Sequence, residues 1–187
     1  MNVRSSPPVP LSLKGRVWRA RTPHPEVARS LERAGLNPFA ARLMSGRDLG
    51  GLDPSQFLSP TIRDLMPDPS RFRDMDLGAK HVADRVMSGS RIGVWSDYDA
   101  DGATSAAVLI RFLRLIGVGQ VPLRIPDRIT EGYGPNTPGL LAMRADGCAT
   151  VCVLDAGTTA FEPLTAAREA GLDIVVIDHH AAQETVP

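Results

Sequence analysis

A chain of 187 residues with 43% hydrophobic content suits one ordinary domain with a small extension and can bury a core of its own. Its 21 basic and 21 acidic residues cancel, which excludes a global positive field for a polyanionic partner; any such substrate has to be held locally. No apolar run reaches membrane-spanning length and the opening MNVRSSPPVPLSLKGR lacks the apolar segment of a signal peptide, so the expectation is a cytoplasmic protein with no membrane partner.

Residues 1–23 are rich in Pro, Ser and Arg and are expected to be extended or disordered, with Trp18 docking on a neighbour. Between residue 25 and about residue 70, helical stretches at 26–34, 38–44, 54–58 and 61–65 are broken by Gly and Pro. They hold too few consecutive apolar positions for a domain, so residues 1–74 read as a partly disordered, helical N-terminal extension. Residues 75–87 make a better helix, with Met75, Ala79, Val82, Ala83 and Val86 on one stripe and Gly89 past its end. His81 lies off that stripe and reads as a surface residue.

Residues 91–96 form an apolar run of strand length, whereas 103–116 lack Gly and Pro and are too long and Ala/Leu-rich for a strand. The chain then alternates: strand-like 120–126, helical 137–144, buried strand 149–154, helical 160–170, buried strand 173–177. Such alternation implies an α/β domain over residues 75–187, a parallel sheet with helices on both faces. Cys148 and Cys152 match neither a zinc site nor a secreted disulfide framework and are expected to be buried free thiols, as in a reducing compartment.

Chemistry concentrates where the strands end. Asp97, Asp99 and Asp101 occupy the turn after 91–96, with no basic residue between Arg91 and Arg111 to offset them. Clustered carboxylates repel one another, and oxygen ligands favour a hard divalent ion such as Mg²⁺ or Mn²⁺. The bland reading is a solvated turn in which Asp101 caps the helix. An EF-hand loop is excluded, because its twelfth position is Val108 and a strand precedes it. A haloacid-dehalogenase-type phosphatase, with Asp-x-Asp-Gly at Asp99 to Gly102, stays in competition.

Asp155 follows the strand at 149–154, where a lone Asp would more often cap a helix; Asp178, His179 and His180 follow the strand at 173–177. Parallel strands place their carboxyl ends along one edge, which brings the three clusters together. Carboxylates with one or two imidazoles suit two divalent ions holding the attacking and leaving oxygens of a phosphoryl transfer, that is, phosphoester hydrolysis. The loop from Pro126 to Gly134 joins strand to helix on the same edge; Arg128 is placed to pair with phosphate and Tyr133 to stack on a base, although a flexible turn with a buried Tyr would read alike.

The segments SDYDADGATS, PDRITEGYG, VLDAGTT and VIDHH, in this order and spacing, resemble the first three motifs of the DHH phosphoesterase superfamily, and within it the RecJ-like single-strand-specific 5′ to 3′ DNA exonucleases. The likeness extends over about residues 16–187. It implies a Rossmann-like DHH domain, metal-dependent phosphodiester hydrolysis of single-stranded DNA in repair and recombination, and Mn²⁺ or Mg²⁺, two ions in the complete enzyme. By position it implies Asp97, Asp99, Asp101, Asp155 and His179 as metal residues and Asp99, Asp101 and His180 in catalytic roles. Asp178 completes the signature, and Arg128 lies near substrate.

Two departures stand out. Ala156 replaces the Asn of many members, and the chain stops seven residues after His180, before the fourth-motif aspartate, second domain and OB-fold that the resemblance implies. The expectation is a chain truncated after its third motif that binds metal weakly and cleaves little alone. The alternatives are a DHH phosphoesterase for short oligonucleotides or cyclic dinucleotides, and a non-catalytic remnant.

Overall fold

A computed structural model describes residues 12–47 and 53–187. The chain forms two compact units, Met1–Asp68 and Pro69–Pro187. In the first, α1 (Pro25–Arg33), α2 (Pro38–Ser45), α3 (Pro54–Leu58) and α4 (Ile62–Leu65) follow one another. Asn37 starts α2, its side-chain oxygen accepting the Ala40 N–H at 2.9 Å, with Pro38 just inside the helix. Leu31, Ala41 and Met44 bury a small cluster between α1 and α2, with Leu36 against it. The expected docking of Trp18 is not seen among the described residues: its side chain is exposed. The rest of the stretch expected to be extended, residues 1–11, lies outside the described residues.

The second unit contains α5 (Met75–Met87), β1 (Ile92–Ser96), α6 (Ala100–Leu115), β2 (Leu123–Arg124), α7 (Thr137–Ala145), β3 (Thr150–Leu154), α8 (Phe161–Glu169) and β4 (Asp173–Ile177). Its four strands pair in parallel in the order β2-β1-β3-β4. Successive side chains leave a strand on opposite faces, and both faces are apolar. On one, Ile92, Val94, Cys152 and Leu154 pack with Ala106, Ile110 and Leu113 of α6 and with Val82 and Val86 of α5. On the other, Trp95, Val151 and Val153 pack with Leu140 and Met143 of α7 and with Leu164 and Ala167 of α8. This is the expected parallel α/β sheet with helices on both faces.

The register matters most for function. Ser96 pairs with Leu154 and Leu154 with Ile177, so β1, β3 and β4 end level. The next residues, Asp97, Asp155 and Asp178, therefore stand in a row at one edge. The strand order changes direction between β1 and β3, and that crevice is the switch point where open α/β sheets bind ligands.

Four local expectations are corrected. The helix after β1 begins at Ala100 rather than Ala103, because Asp99 caps it. β2 shrinks to two residues since Pro122 and Pro126, which lack N–H groups, flank it. His81 is not a plain surface residue: it is half-buried with Nε2 3.5 Å from the Asp173 carboxylate, to which Arg85 also donates. The face α5 turns to the sheet carries Gly78, Val82 and Val86, while Ala79 and Ala83 are exposed, because this charged staple fixes the rotation of the helix.

Candidate metal centre

The turn after β1 is built by backbone contact. Asp99 Oδ1 accepts the N–H groups of Asp101 and Gly102 at 3.0 and 3.1 Å, which caps α6 and holds the Asp99 carboxyl below its usual range, the Gly102 N–H being the main cause. Gly102 lies against the Asp97 backbone, and the Ser96 hydroxyl donates to the Gly102 carbonyl at 2.6 Å. Asp97 is buried, and its N–H donates to the Leu154 carbonyl at 3.3 Å, extending the β1–β3 ladder into the site.

Asp155 stands beside it at the end of β3. Its N–H donates to the Ile177 carbonyl at 2.9 Å, and its backbone is left-handed, with φ of 57°, a conformation rare outside glycine. It caps no helix: the residue before α8 is Ala160, without a side-chain cap. Burial, and then the neighbouring Asp99 carboxylate, push the Asp155 carboxyl up. His179 Nε2 lies 3.0 Å from Asp155 Oδ1 and His180 Nδ1 4.0 Å from it.

Asp178 serves as an orienting group. Its Oδ2 accepts the Thr158 N–H at 3.0 Å and the Thr158 hydroxyl at 2.9 Å, and its Oδ1 lies 3.1 Å from the His180 N–H and 2.7 Å from His180 Nδ1. Burial opposes its charge, yet His180 and Thr158 outweigh that cost and bring its pKa down to about 2. The same contact raises the His180 pKa.

The predicted residues thus assemble in two overlapping groups. Asp97, Asp99 and Asp155 each present an oxygen within 4.8 Å of the others, and Asp155, His179 and His180 do so with one ligand atom each. Asp97 Oδ1 and Asp155 Oδ2 are buried without a hydrogen bond from any donor among the described residues. A buried carboxylate oxygen lacking a donor is what a divalent cation would satisfy, so the residues fit one. Asp101 is the exception. It sits exposed in the first turn of α6 and belongs to neither group.

The loop to α7 is ordered by its own side chains. Asp127 Oδ1 accepts from the Ile129 and Thr130 N–H groups and the Thr130 hydroxyl, while Glu131 accepts from Arg124, Asn136 and the Asp127 N–H. Arg128 is exposed, its guanidinium 5.2 Å from the centre of the Tyr98 ring, and Tyr98 separates Asp97 from Asp99. Tyr133 is neither buried nor free for stacking alone. Its ring is half exposed, but its hydroxyl reaches the Asp155 carbonyl and His180 Nδ1, and burial followed by the surrounding carboxylates pushes the phenol up to about 12. The partnerships of Thr158 and Tyr133 had no signal in the sequence beyond their positions beside strand-end motifs.

The DHH family, N-terminal domain, matches residues 91–187. The single-stranded-DNA-specific exonuclease RecJ of Bacillus subtilis is 29% identical over 171 residues, which cover 91% of this chain and 22% of that protein. RecJ of Escherichia coli is 28% identical over 154 residues, 82% of this chain and 26% of the relative. A crystal structure of exonuclease RecJ bound to manganese superposes with a TM-score of 0.54 at 33% identity, covering 59% of this chain and 28% of that one. RecJ from Thermus thermophilus in complex with Mn²⁺ shares the fold, with a TM-score of 0.61 at 24% identity over 90% of this chain and 23% of that one. The chain spans 22–26% of the length of the two curated relatives. No helix among the described residues is long and apolar enough to cross a membrane.

Proposed function

The chain belongs to the DHH family, and on that premise we propose that it carries the metal-binding centre of a RecJ-like exonuclease that hydrolyses single-stranded DNA from its 5′ end. The observation that carries this reading is the meeting of Asp97, Asp99 and Asp155 with His179 and His180, from three level strand ends, around shared donor-free oxygens. Phosphodiester hydrolysis breaks a P–O bond with water, and Mn²⁺ or Mg²⁺, when bound, supplies the Lewis acidity for that chemistry.

The chain's own residues divide the remaining work. Asp97, Asp99, Asp155 and His179 would hold the cation, and the backbone bonds of Asp97 and Asp155 to the neighbouring strands keep those two carboxylates in place. His180, whose protonated form Asp178 favours, would supply the proton for the leaving oxygen. Arg128, braced on Tyr98, pairs with a substrate phosphate, and the N-terminus of α6 adds a favourable field for anionic oxygen. Asp101 has no part in this set. Membership of the DHH family sets aside the haloacid-dehalogenase alternative, in which Asp99 would be a covalent nucleophile.

The test is Mn²⁺-dependent degradation of 5′-ended single strands by the whole gene product, which Asp99→Ala abolishes. Activity surviving in that variant would overturn the assignment. A rate on dinucleotides exceeding that on long strands would redirect it to a small-substrate phosphoesterase.

A further inference from the structure

Tyr133 lies between Gly132 and Gly134, whose φ angles of 80° and 81° turn the loop sharply on both sides of it. That turn lays the loop on the segment after β3, so that a Cβ on Gly134 would stand 4.0 Å from Ala156 Cβ. The Tyr133 ring meets His180 edge-on, with centroids 5.6 Å apart and planes at 71°. Its hydroxyl is 3.1 Å from the Asp155 carbonyl oxygen and 3.1 Å from His180 Nδ1.

These two contacts are not equivalent. Nδ1 of His180 is closer to Asp178, at 2.7 Å, and the single proton it can carry goes to that carboxylate. The tyrosine hydrogen is then directed to the Asp155 carbonyl, and the hydroxyl oxygen lies against the imidazole without taking its proton. Asp155 is the one described residue at a strand end with a left-handed backbone that is not glycine. A non-glycine residue keeps that conformation only where its surroundings over-determine it. Above it the N–H is fixed by the Ile177 carbonyl, and below it the carbonyl is fixed by Tyr133.

We propose that Tyr133 is a positioning residue of the metal centre, whose hydroxyl clamps the left-handed backbone of Asp155 and so aims its carboxylate between the Asp97–Asp99 pair and His179. The assignment rests on the reading of that cluster as a divalent-cation site. It replaces the base-stacking role that the loop sequence suggests, and the two roles differ in what they lose on mutation. A clamp loses its effect when the hydroxyl alone is removed. A stacking platform loses its effect only when the ring is removed.

The experiment compares wild type, Tyr133→Phe and Tyr133→Ala by three measurements on the same preparations: calorimetric titration with Mn²⁺, thermal unfolding in EDTA, and anisotropy with a 5′-labelled single strand in EDTA. Tyr133→Phe is expected to weaken Mn²⁺ binding about five- to tenfold, in the range of one lost hydrogen bond, with only a small drop in melting temperature and unchanged strand affinity. Wild-type Mn²⁺ affinity in Tyr133→Phe would overturn the clamp. So would a loss of strand affinity in Tyr133→Ala alone, which is the stacking result. If the wild-type chain itself takes up no Mn²⁺, the cation-site reading falls and the clamp with it, a different signature from failure of the clamp on a metal-binding protein.

Discussion

Gly102 lies so close beneath Asp97 that a Cβ built on it would come within 2.4 Å of the Asp97 carbonyl oxygen. The obstruction is backbone, which cannot swing aside, so any side chain here must push α6 away from the end of β1. Gly102→Ala is expected to cost about 1–3 kcal/mol of stability, in the range of overpacked sites, and to weaken Mn²⁺ binding as Asp97 and Asp99 separate. Denaturant unfolding and metal titration of the variant check both effects; a variant with unchanged metal affinity would show that the turn is not what spaces the two carboxylates.

Asp178 and His180 give a pH signature in the metal-free protein. The Asp178 pKa falls from 3.8 to about 2, so its contribution is complete above pH 3.8 and is lost as the pH falls toward 2. The His180 pKa is raised above 6.5, so its contribution is complete below pH 6.5 and is lost as the pH rises through the raised value. The gap in melting temperature between wild type and Asp178→Asn is therefore expected to be widest from about pH 4 to 6.5, to close below that range and to narrow above it. A gap that does not narrow as the pH rises through the His180 value would mean that the Thr158 contacts alone, and not the ion pair, carry the stabilisation.

Glu131 ties Arg124, Asn136 and the Asp127 N–H together at 2.8, 3.1 and 2.9 Å, and Arg124 lies 5.4 Å from the centre of the Trp95 ring. Its removal frees the loop that carries Arg128 and Tyr133 while leaving the sheet intact. Glu131→Ala is expected to change global stability little, because the group is solvent-exposed, but to speed limited proteolysis between residues 126 and 134. Unaltered cleavage kinetics would show that Asp127 suffices to order the loop.

Cys148 and Cys152 are buried, and burial pushes the Cys152 thiol up to about 11. Neither thiol is expected to react with a disulfide reagent at pH 8 in the native protein, and both should react at once in guanidinium. Fast labelling of the native chain would mean that the core around β3 opens readily.

How far these features were legible in the sequence depends on their range. The row Asp97, Asp155, Asp178 could be read because strand length and the parallel alternation fix where each strand ends, and level ends follow from register. The start of α6 was misread by three residues, since a glycine at position 102 argues against a helix until its packing on Asp97 is known. Asp101, which the resemblance implies as a metal residue, accordingly lies in the first turn of that helix. Thr158 on Asp178 and Tyr133 on Asp155 were invisible for another reason: each joins side-chain and backbone groups some 20 residues apart, and no local periodicity encodes such a bond.

The central claim is that buried carboxylates from separate strand ends converge on one cation site, and Mn²⁺ titration of the purified chain tests it most directly. Wild type should bind Mn²⁺ in the submillimolar range, with Asp97→Asn and Asp155→Asn each weakening it about tenfold or more, as loss of a charged ligand from a hard-ion site requires. Absence of binding up to millimolar Mn²⁺, or equal affinity in wild type and both variants, would contradict the account.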